Sequence, residues 1–161
     1  MALEIERKFL LKGDSWRADV LRSVDYRQGY MSGTEKCSIR IRIGNGKAHL
    51  NIKSATLGIQ RSEYDYPVPL VDAEEMLNQF CLGEVIEKTR YFVDYKNHTW
   101  EIDIFEGANQ GLIVAEIELD HEDERFELPD WIGKEVSDDP RYYNVCLVDH
   151  PFSQWQDECA D

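Results

Sequence analysis

Between Leu3 and Leu119, ionised residues recur two positions apart inside runs that are otherwise β-branched or aromatic. Side chains two apart on a β-strand share a face. Glu4, Glu6 and Lys8 therefore lie on one face, and Leu3, Ile5 and Phe9 on the other. Arg40 and Arg42 oppose Ile39, Ile41 and Ile43, and Lys53 opposes Ile52. Arg61, Glu63 and Asp65 oppose Tyr64 and Tyr66, while Lys88 and Arg90 share a face. Glu101 and Asp103 oppose Ile102 and Ile104; Glu116 and Glu118 oppose Ile117 and Leu119.

For any one of these strands, an apolar face on a core and a charged face in water accounts for the pattern. Taken together they ask for more. A solvated face also accepts Ser, Thr, Asn and Gln, whereas these positions are filled almost wholly by ionised groups. The charges are also sorted: acids on the first and last strands, bases on the middle ones. The alternative is an inside-out barrel whose charged faces line a wide, hydrated lumen. Its apolar faces point outward, under helices near Asp72–Leu82 and Pro140–Val148 or under a second copy of the chain. Charges in such a lumen are tolerable only when hydrated, paired or ligand-bound.

Strand-like runs are read at Leu3–Leu11, Tyr26–Met31, Cys37–Ile43, Lys47–Ser54, Ile59–Val68, Val85–Tyr95, His98–Phe105 and Leu112–Leu119. Gly44-Asn45-Gly46 and Lys96-Asn97 are hairpin turns. Asp72 with Glu75 predicts a capped helix to about Leu82, and Asp14 or Ser15 a short one to Arg22. Asp139-Pro140 opens a third helix to Val148, and His121–Glu127 forms another turn or two. Many strands with few helices predict a mainly β (α+β) protein. The expected form is an eight-stranded antiparallel closed β-barrel, built as a meander with a few flanking helices.

The 161 residues fit one domain, expected over 1–150, with a C-terminal tail at 151–161. Hydrophobic residues make up 42% and charged residues 31%, as in a folded soluble chain. No apolar run reaches the roughly 20 residues needed to span a bilayer, so no membrane partner is expected. Glu4, Glu6, Arg7 and Lys8 rule out an apolar signal segment at the start, which predicts a cytoplasmic location. The scattered cysteines Cys37, Cys81, Cys146 and Cys159 form no CxxC pair and read as reduced thiols. A net charge of −14 argues against nucleic acid as the main partner. His49, His98, His121 and His150 read as surface residues, and Trp16, Trp131 and Trp155 as packing or interface residues.

The acidic wall of the lumen offers Glu4, Glu6, Asp103, Glu116 and Glu118, with Glu101 in reserve. Oxygen-only donors with water access suit Mg²⁺ or Mn²⁺, and no histidine joins them to favour zinc. The basic wall offers Lys8, Arg40, Arg42, Lys53, Arg61, Lys88, Arg90 and Arg141. So many cations facing one cavity repel unless an anion lies between them. Guanidinium groups bind phosphate oxygens bidentately, and a run of phosphates matches the charge count best. Metal on one side and guanidinium on the other is the arrangement used for phosphoryl or nucleotidyl transfer.

Glu4-Ile5-Glu6-Arg7-Lys8-Phe9-Leu10 resembles the N-terminal ExExK signature of the CYTH superfamily, the triphosphate tunnel metalloenzymes. The resemblance runs from residue 2 to about 148 through Arg27-Gln28-Gly29-Tyr30, Arg40-Ile41-Arg42, Lys53, Arg61-Ser62-Glu63, Glu87-Lys88-Thr89-Arg90-Tyr91, Glu101-Ile102-Asp103, Glu116-Ile117-Glu118 and Arg141-Tyr142. It implies an eight-stranded tunnel with Glu4, Glu6, Asp103, Glu116 and Glu118 as metal ligands. It also implies that Lys8, Arg40, Arg42, Lys53, Arg61, Glu63, Lys88, Arg90 and Arg141 hold a triphosphate. Among the family's activities, the EIERKFL start looks most like inorganic triphosphatase. By the same resemblance Tyr30 pairs with Lys53 near the scissile phosphate, which makes Tyr30, Lys53 and Lys8 the candidate catalytic residues. Tyr143 departs from the pattern, standing where relatives often carry Lys.

The resulting expectation is metal-dependent hydrolysis of a linear triphosphate. One ion would sit at Glu4, Glu6, Glu116 and Glu118 and a second nearer Asp103. The rivals are adenylate cyclase chemistry on ATP and non-catalytic binding of polyphosphate or nucleotide. An apolar outer wall also makes a homodimer an open expectation.

Overall fold

The computed structural model describes residues 3–56 and 58–157. Nine strands form one sheet: β1 (Leu3–Leu11), β2 (Val20–Gly33), β3 (Cys37–Gly44), β4 (Lys47–Ser54), β5 (Gln60–Val68), β6 (Leu82–Tyr95), β7 (His98–Phe105), β8 (Ile113–Leu119) and β9 (Ile132–Glu135). Two α-helices, α1 (Leu70–Gln79) and α2 (Asn144–Asp149), accompany 3₁₀ turns at Ser15–Asp19, Gly107–Asn109, Pro140–Tyr142 and Phe152–Asp157.

The strands run in the order β5-β4-β3-β2-β6-β7-β8-β1-β9, and a further β5–β1 pairing closes an eight-stranded barrel. Every pairing is antiparallel. The eight-stranded closed barrel expected from the alternation is therefore present, but it is not a single meander. α1 carries the chain from β5 to β6, which pairs with β2. Two meanders, β2–β5 and β6–β8, thus meet along the β2–β6 seam.

β9 lies outside the barrel. β1 gives residues Leu3, Glu4 and Ile5 to β5, then Phe9 and Leu11 to β9. Arg7 clamps Glu135 from β1 through its Nε at 2.9 Å. β9 escaped the sequence reading because Ile-Gly-Lys-Glu is too short to show alternation.

Several boundaries move. The helix expected to reach Arg22 is a single 3₁₀ turn ending at Asp19, and β2 starts at Val20, not Tyr26. α1 begins at Leu70 behind Pro69, so Asp72 sits inside its first turn without capping it. It ends at Gln79, because β6 pairs from Leu82. His121–Glu127 makes no helix and lies as an irregular strap.

The outer wall is covered largely by the chain itself. Ile5, Phe9, Trp100, Ile102, Ile117 and Leu119 form a core with Trp16 and Trp131. α1 presses Ala73 and Leu77 onto Ile41, Ile43 and Ala48 of β3 and β4. Tyr64 and Tyr66 on β5 stay exposed.

The C-terminal segment does something other than cover that wall. α2 brings Leu147 into a core with Tyr30, Ile86, Phe105, Leu112, Val114 and Trp155. Ile86, Phe105 and Val114 each lie two positions from Lys88, Asp103 and Glu116, so they belong to inward faces. α2 therefore closes one end of the lumen with an apolar floor. From Phe152 to Trp155 the expected tail joins this floor, since Trp155 is 6% exposed and its indole N–H donates to His150 O at 3.1 Å.

The described cysteines Cys37, Cys81 and Cys146 are free thiols, and Cys159 lies outside the described residues. Among the described residues no helix is long and apolar enough to cross a membrane.

Candidate active site

Above the floor the lumen is a cavity of roughly 460 Å³. Its cationic lining is Lys8, Arg22, Arg40, Arg42, Lys53, Arg61, Lys88 and Arg90. Its anionic lining is Glu4, Glu6, Glu63, Asp65, Glu101, Glu116 and Glu118, and Tyr26, Tyr30 and Tyr143 complete the wall. The strand register explains the convergence. Lys8 stands across from Glu116, Glu6 from Glu118, Glu4 from Arg61, Lys53 from Glu63 and Arg90 from Asp103.

The acidic wall is strained electrostatically. Glu6 opposes Glu118, and Glu101 opposes Glu116. Like charges directly opposite destabilise a sheet. Burial, with Glu116 and Glu4 alongside, pushes the Glu6 carboxyl up to about 8. Glu4 shares a hydrogen bond with Glu6. Burial works to raise Glu116, but Lys8 and Arg90 outweigh it and hold that carboxyl well below the usual range. Lys8 lies 3.3 Å from Glu116 and also donates to Tyr142 O at 3.0 Å.

The basic wall shows the converse strain. Burial, with Arg40 and Arg90 beside it, pushes Arg42 down to about 10. Burial pushes Lys88 down to about 7 against the pull of Asp103. Burial and Arg40 push Lys53 down to about 8. The Lys53 ammonium sits where the two walls meet, 3.4 Å from Glu4 and 4.0 Å from Glu63. Arg61 carries a buried Nε with no hydrogen-bond partner, and its guanidinium lies 5.3 Å from the Tyr143 ring centre.

Two expected site residues stand apart from the cavity. Asp103 is fully buried behind the basic wall. It takes Lys88 at 2.8 Å and two bonds from Arg90 at 2.7 and 2.9 Å. Burial works to raise its carboxyl, and Arg90 with Lys88 reverse that, so Asp103 stays ionised. It does not line the cavity and has no exposed surface, so it supports the cations from behind. Arg141 is the other. A 3₁₀ turn, not the expected helix, carries it outward, where it pairs with Asp139 at 2.7 Å. Tyr30 does line the cavity, packed on the floor.

The period-two reading missed the neutral supports. Gln28 stands across from Arg42 and Asn51 across from Arg40 on inward faces, and Asn144 comes from α2. Asn51 accepts from Arg40 at 3.0 Å and donates to Glu63 at 3.3 Å. Arg22 at the open mouth was missed because the expected strand began at Tyr26, and Tyr26 itself carries no charge to mark it as lining.

Among the described residues, no three or more His, Cys, Asp or Glu groups are gathered closely enough to cage a metal ion by themselves. The donor chemistry still fits a hard divalent cation. The close Glu4–Glu6 pair is all oxygen and repels itself when ionised. Mg²⁺ is commonly held by one or two carboxylates with substrate phosphates completing the sphere. The Glu4–Glu6 pair therefore fits such an ion, Glu116 and Glu118 line the same cavity, and Asp103 lies off it.

The comparisons agree with this geometry. The family model described as CYTH domain matches residues 2–143. An inorganic triphosphatase of Acetivibrio thermocellus is 44% identical over 157 residues, covering 98% of this chain and all of the relative. An inorganic triphosphatase of Nitrosomonas europaea is 34% identical over 149 residues, covering 90% and 96%. The crystal structure of the inorganic triphosphatase NE1496 superposes with a TM-score of 0.63 at 31% identity, covering 92% of this chain and 95% of that one. A putative adenylyl cyclase from Hippeastrum shares the fold at a TM-score of 0.58 and 14% identity. With a family model spanning most of its length and relatives aligned nearly end to end, the chain belongs to the CYTH domain family.

Proposed function

We propose that this chain hydrolyses a linear triphosphate, inorganic tripolyphosphate foremost, inside its lumen. One observation carries the reading. Arg40, Arg42, Lys53, Arg61, Lys88 and Arg90 face a single cavity, two of the ammonium groups are pushed toward neutrality, and a buried Arg61 Nε lacks a partner. A row of phosphates relieves all three at once. The names of the two relatives support the same substrate class.

The chain's own part is binding and charge neutralisation. Arg40 and Arg42 on β3 and Lys88 and Arg90 on β6 bracket the polyanion from the two strands that flank β2. Lys53 and Arg61 hold its end nearest the acidic wall. Glu4, Glu6, Glu116 and Glu118 would hold Mg²⁺ or Mn²⁺, and such an ion neutralises phosphate oxygens and lowers the pKa of bound water. Water adds to the terminal phosphorus and the anhydride P–O bond breaks, giving orthophosphate and pyrophosphate. The guanidinium groups offset the charge that builds on the leaving pyrophosphate. A second ion beside Asp103 finds no support, because that carboxylate is fully buried and does not line the cavity.

Incubating the pure protein with tripolyphosphate or ATP, each with Mg²⁺ or Mn²⁺, tests the proposal. Orthophosphate released from tripolyphosphate supports it. Cyclic AMP with pyrophosphate from ATP favours the cyclase, and tight binding without turnover favours a binding module.

A further inference from the structure

The C-terminal helix reaches into the basic wall through one side chain. Asn144 Oδ1 accepts a bond from Lys88 Nζ at 3.0 Å and another from Gln28 Nε2 at 2.9 Å. Gln28 Oε1 in turn accepts from Arg42 Nε at 2.9 Å. Gln28 has no exposed surface. Arg42 and Lys88 sit at the two ends of this chain of bonds, and both are donors only. Each amide must therefore turn its oxygen toward a cation. Flipping either one would set an NH₂ group against an N–H donor and break bonds at both of its ends. The polarity Arg42→Gln28→Asn144←Lys88 is thus fixed by the cations and does not rest on a choice of rotamer.

The choice of amides also matters. Asp103 and Glu116 fix Lys88, Arg90 and Lys8 by ion pairing, and in doing so cancel charge. Gln28 and Asn144 fix Arg42 and Lys88 with oxygen acceptors and cancel none. Crowding of Arg42 against Arg40 and Arg90 shows that this corner stays strongly positive.

Resting on the polyanion reading above, we propose that Gln28 and Asn144 are positioning residues that aim Arg42 and Lys88 at the substrate without adding an anion to the wall beyond Asp103 and Glu116. The wall that binds the polyanion is then completed by the C-terminal segment, and α2 is more than a plug. A purely structural role makes a different prediction. At Asn144 an isosteric carboxylate keeps both acceptor contacts, to Lys88 and Gln28, so the fold is kept while the positive field is lowered; at Gln28 it keeps the contact to Arg42 but sets an oxygen against Asn144 Oδ1.

The test is Asn144→Asp and, separately, Gln28→Glu, each compared with the unsubstituted protein. Thermal unfolding, tripolyphosphate kinetics with Mg²⁺, and the dissociation constant of tripolyphosphate by calorimetry are read for all three. The expected result is an unfolding midpoint equal to or above that of the parent for Asn144→Asp and a lower one for Gln28→Glu, with KM and the dissociation constant raised about tenfold in both and kcat falling by less than KM rises. Parental KM and affinity in both variants overturn the proposal. So does a loss of affinity in Asn144→Asp that only accompanies a lowered midpoint. If the unsubstituted protein releases no orthophosphate, the hydrolase reading fails on its own, and the calorimetric comparison still decides the positioning role.

Discussion

Leu10 and Val114 face each other across β1 and β8, one inward step below the facing pair Lys8 and Glu116. Within one two-residue repeat, about 7 Å of strand, the lumen passes from ion pair to hydrocarbon. The same switch occurs from Lys88 to Ile86 and from Asp103 to Phe105. The polyanion site therefore stands on a dry floor that the C-terminal segment completes. Leu147, 1% exposed, fills the centre of that floor. Leu147→Ala should cost about 2–4 kcal/mol, read as a lowered urea midpoint with little change in m-value.

Asp103 holds two cations in a fully buried site, so removing its charge takes the ion pair from Lys88 and leaves Arg90 to Glu101 and Glu116. Asp103→Asn should destabilise the protein by about 3–5 kcal/mol, the range for breaking a buried ion pair from one side. Mn²⁺ affinity of the folded fraction, followed by the loss of the free-ion paramagnetic signal, should stay near that of the parent. A variant as stable as the parent that no longer binds Mn²⁺ would restore Asp103 as a metal ligand.

Arg22 lies at the open end of the cavity with its guanidinium 3.7 Å from the Phe92 ring centre. On a chain of net charge −14, a mouth cation attracts a polyanion that the rest of the surface repels. Arg22→Ala should raise KM several-fold in dilute buffer. That difference should largely vanish near 0.5 M salt, where the screening length falls to roughly 4 Å. An effect independent of salt would mean that Arg22 touches the bound substrate.

The barrel was legible because its alternation is local: Ile39, Ile41 and Ile43 against Arg40 and Arg42 fixes which way a strand faces without any knowledge of its neighbours. The crossing from β5 to β6 was not, because strand order depends on which edges meet and no short window holds that information. The apolar floor was written in the same two-residue spacing. Leu10, Ile86, Phe105 and Val114 continue the faces of Lys8, Lys88, Asp103 and Glu116, but they read as ordinary strand ends. Alternation places Glu101 and Asp103 alike, and only the depth of each along β7 separates a lining residue from a buried support. Arg141 was misplaced because Asp139, acting as N-cap, also captures its guanidinium.

The Arg7–Glu135 pair ties β9 to the outer edge of β1, and Ser137 adds a bond to the same carboxylate at 2.6 Å. The bond from Arg7 lowers the Glu135 pKa, against a smaller raising effect of burial and with help from Ser137. A carboxylate with a depressed folded pKa adds stability that is full above its unfolded pKa and is lost as pH falls through the folded one. Glu135→Gln should therefore cost on the order of 0.5–1 kcal/mol at neutral pH, since both side chains are about a third exposed. The gap between variant and parent in unfolding midpoint should close as pH drops below about 4. A gap that persists in acid would show that the amide disturbs packing and not charge.

Gly44 ends β3 directly opposite Tyr26 on β2. A Cβ at this position would collide with Cδ1 and Cε1 of the Tyr26 ring and crowd Val24. The tyrosine ring lies against the guanidinium groups of Arg42, at 4.6 Å, and Arg90, at 5.7 Å, so Gly44 is the clearance that lets one aromatic face steady two cations of the basic wall. Gly44→Ala should push the ring off these partners and loosen Arg42 first, the nearer of the two. KM for tripolyphosphate should rise about three- to tenfold, with a stability loss of about 1–3 kcal/mol from overpacking. Removing the ring in the double variant Gly44→Ala/Tyr26→Ala should recover most of the stability, because the clash disappears. It should not recover KM, because the support for Arg42 is gone as well. Recovery of both in the double variant would show that Tyr26 has no part in holding the cations.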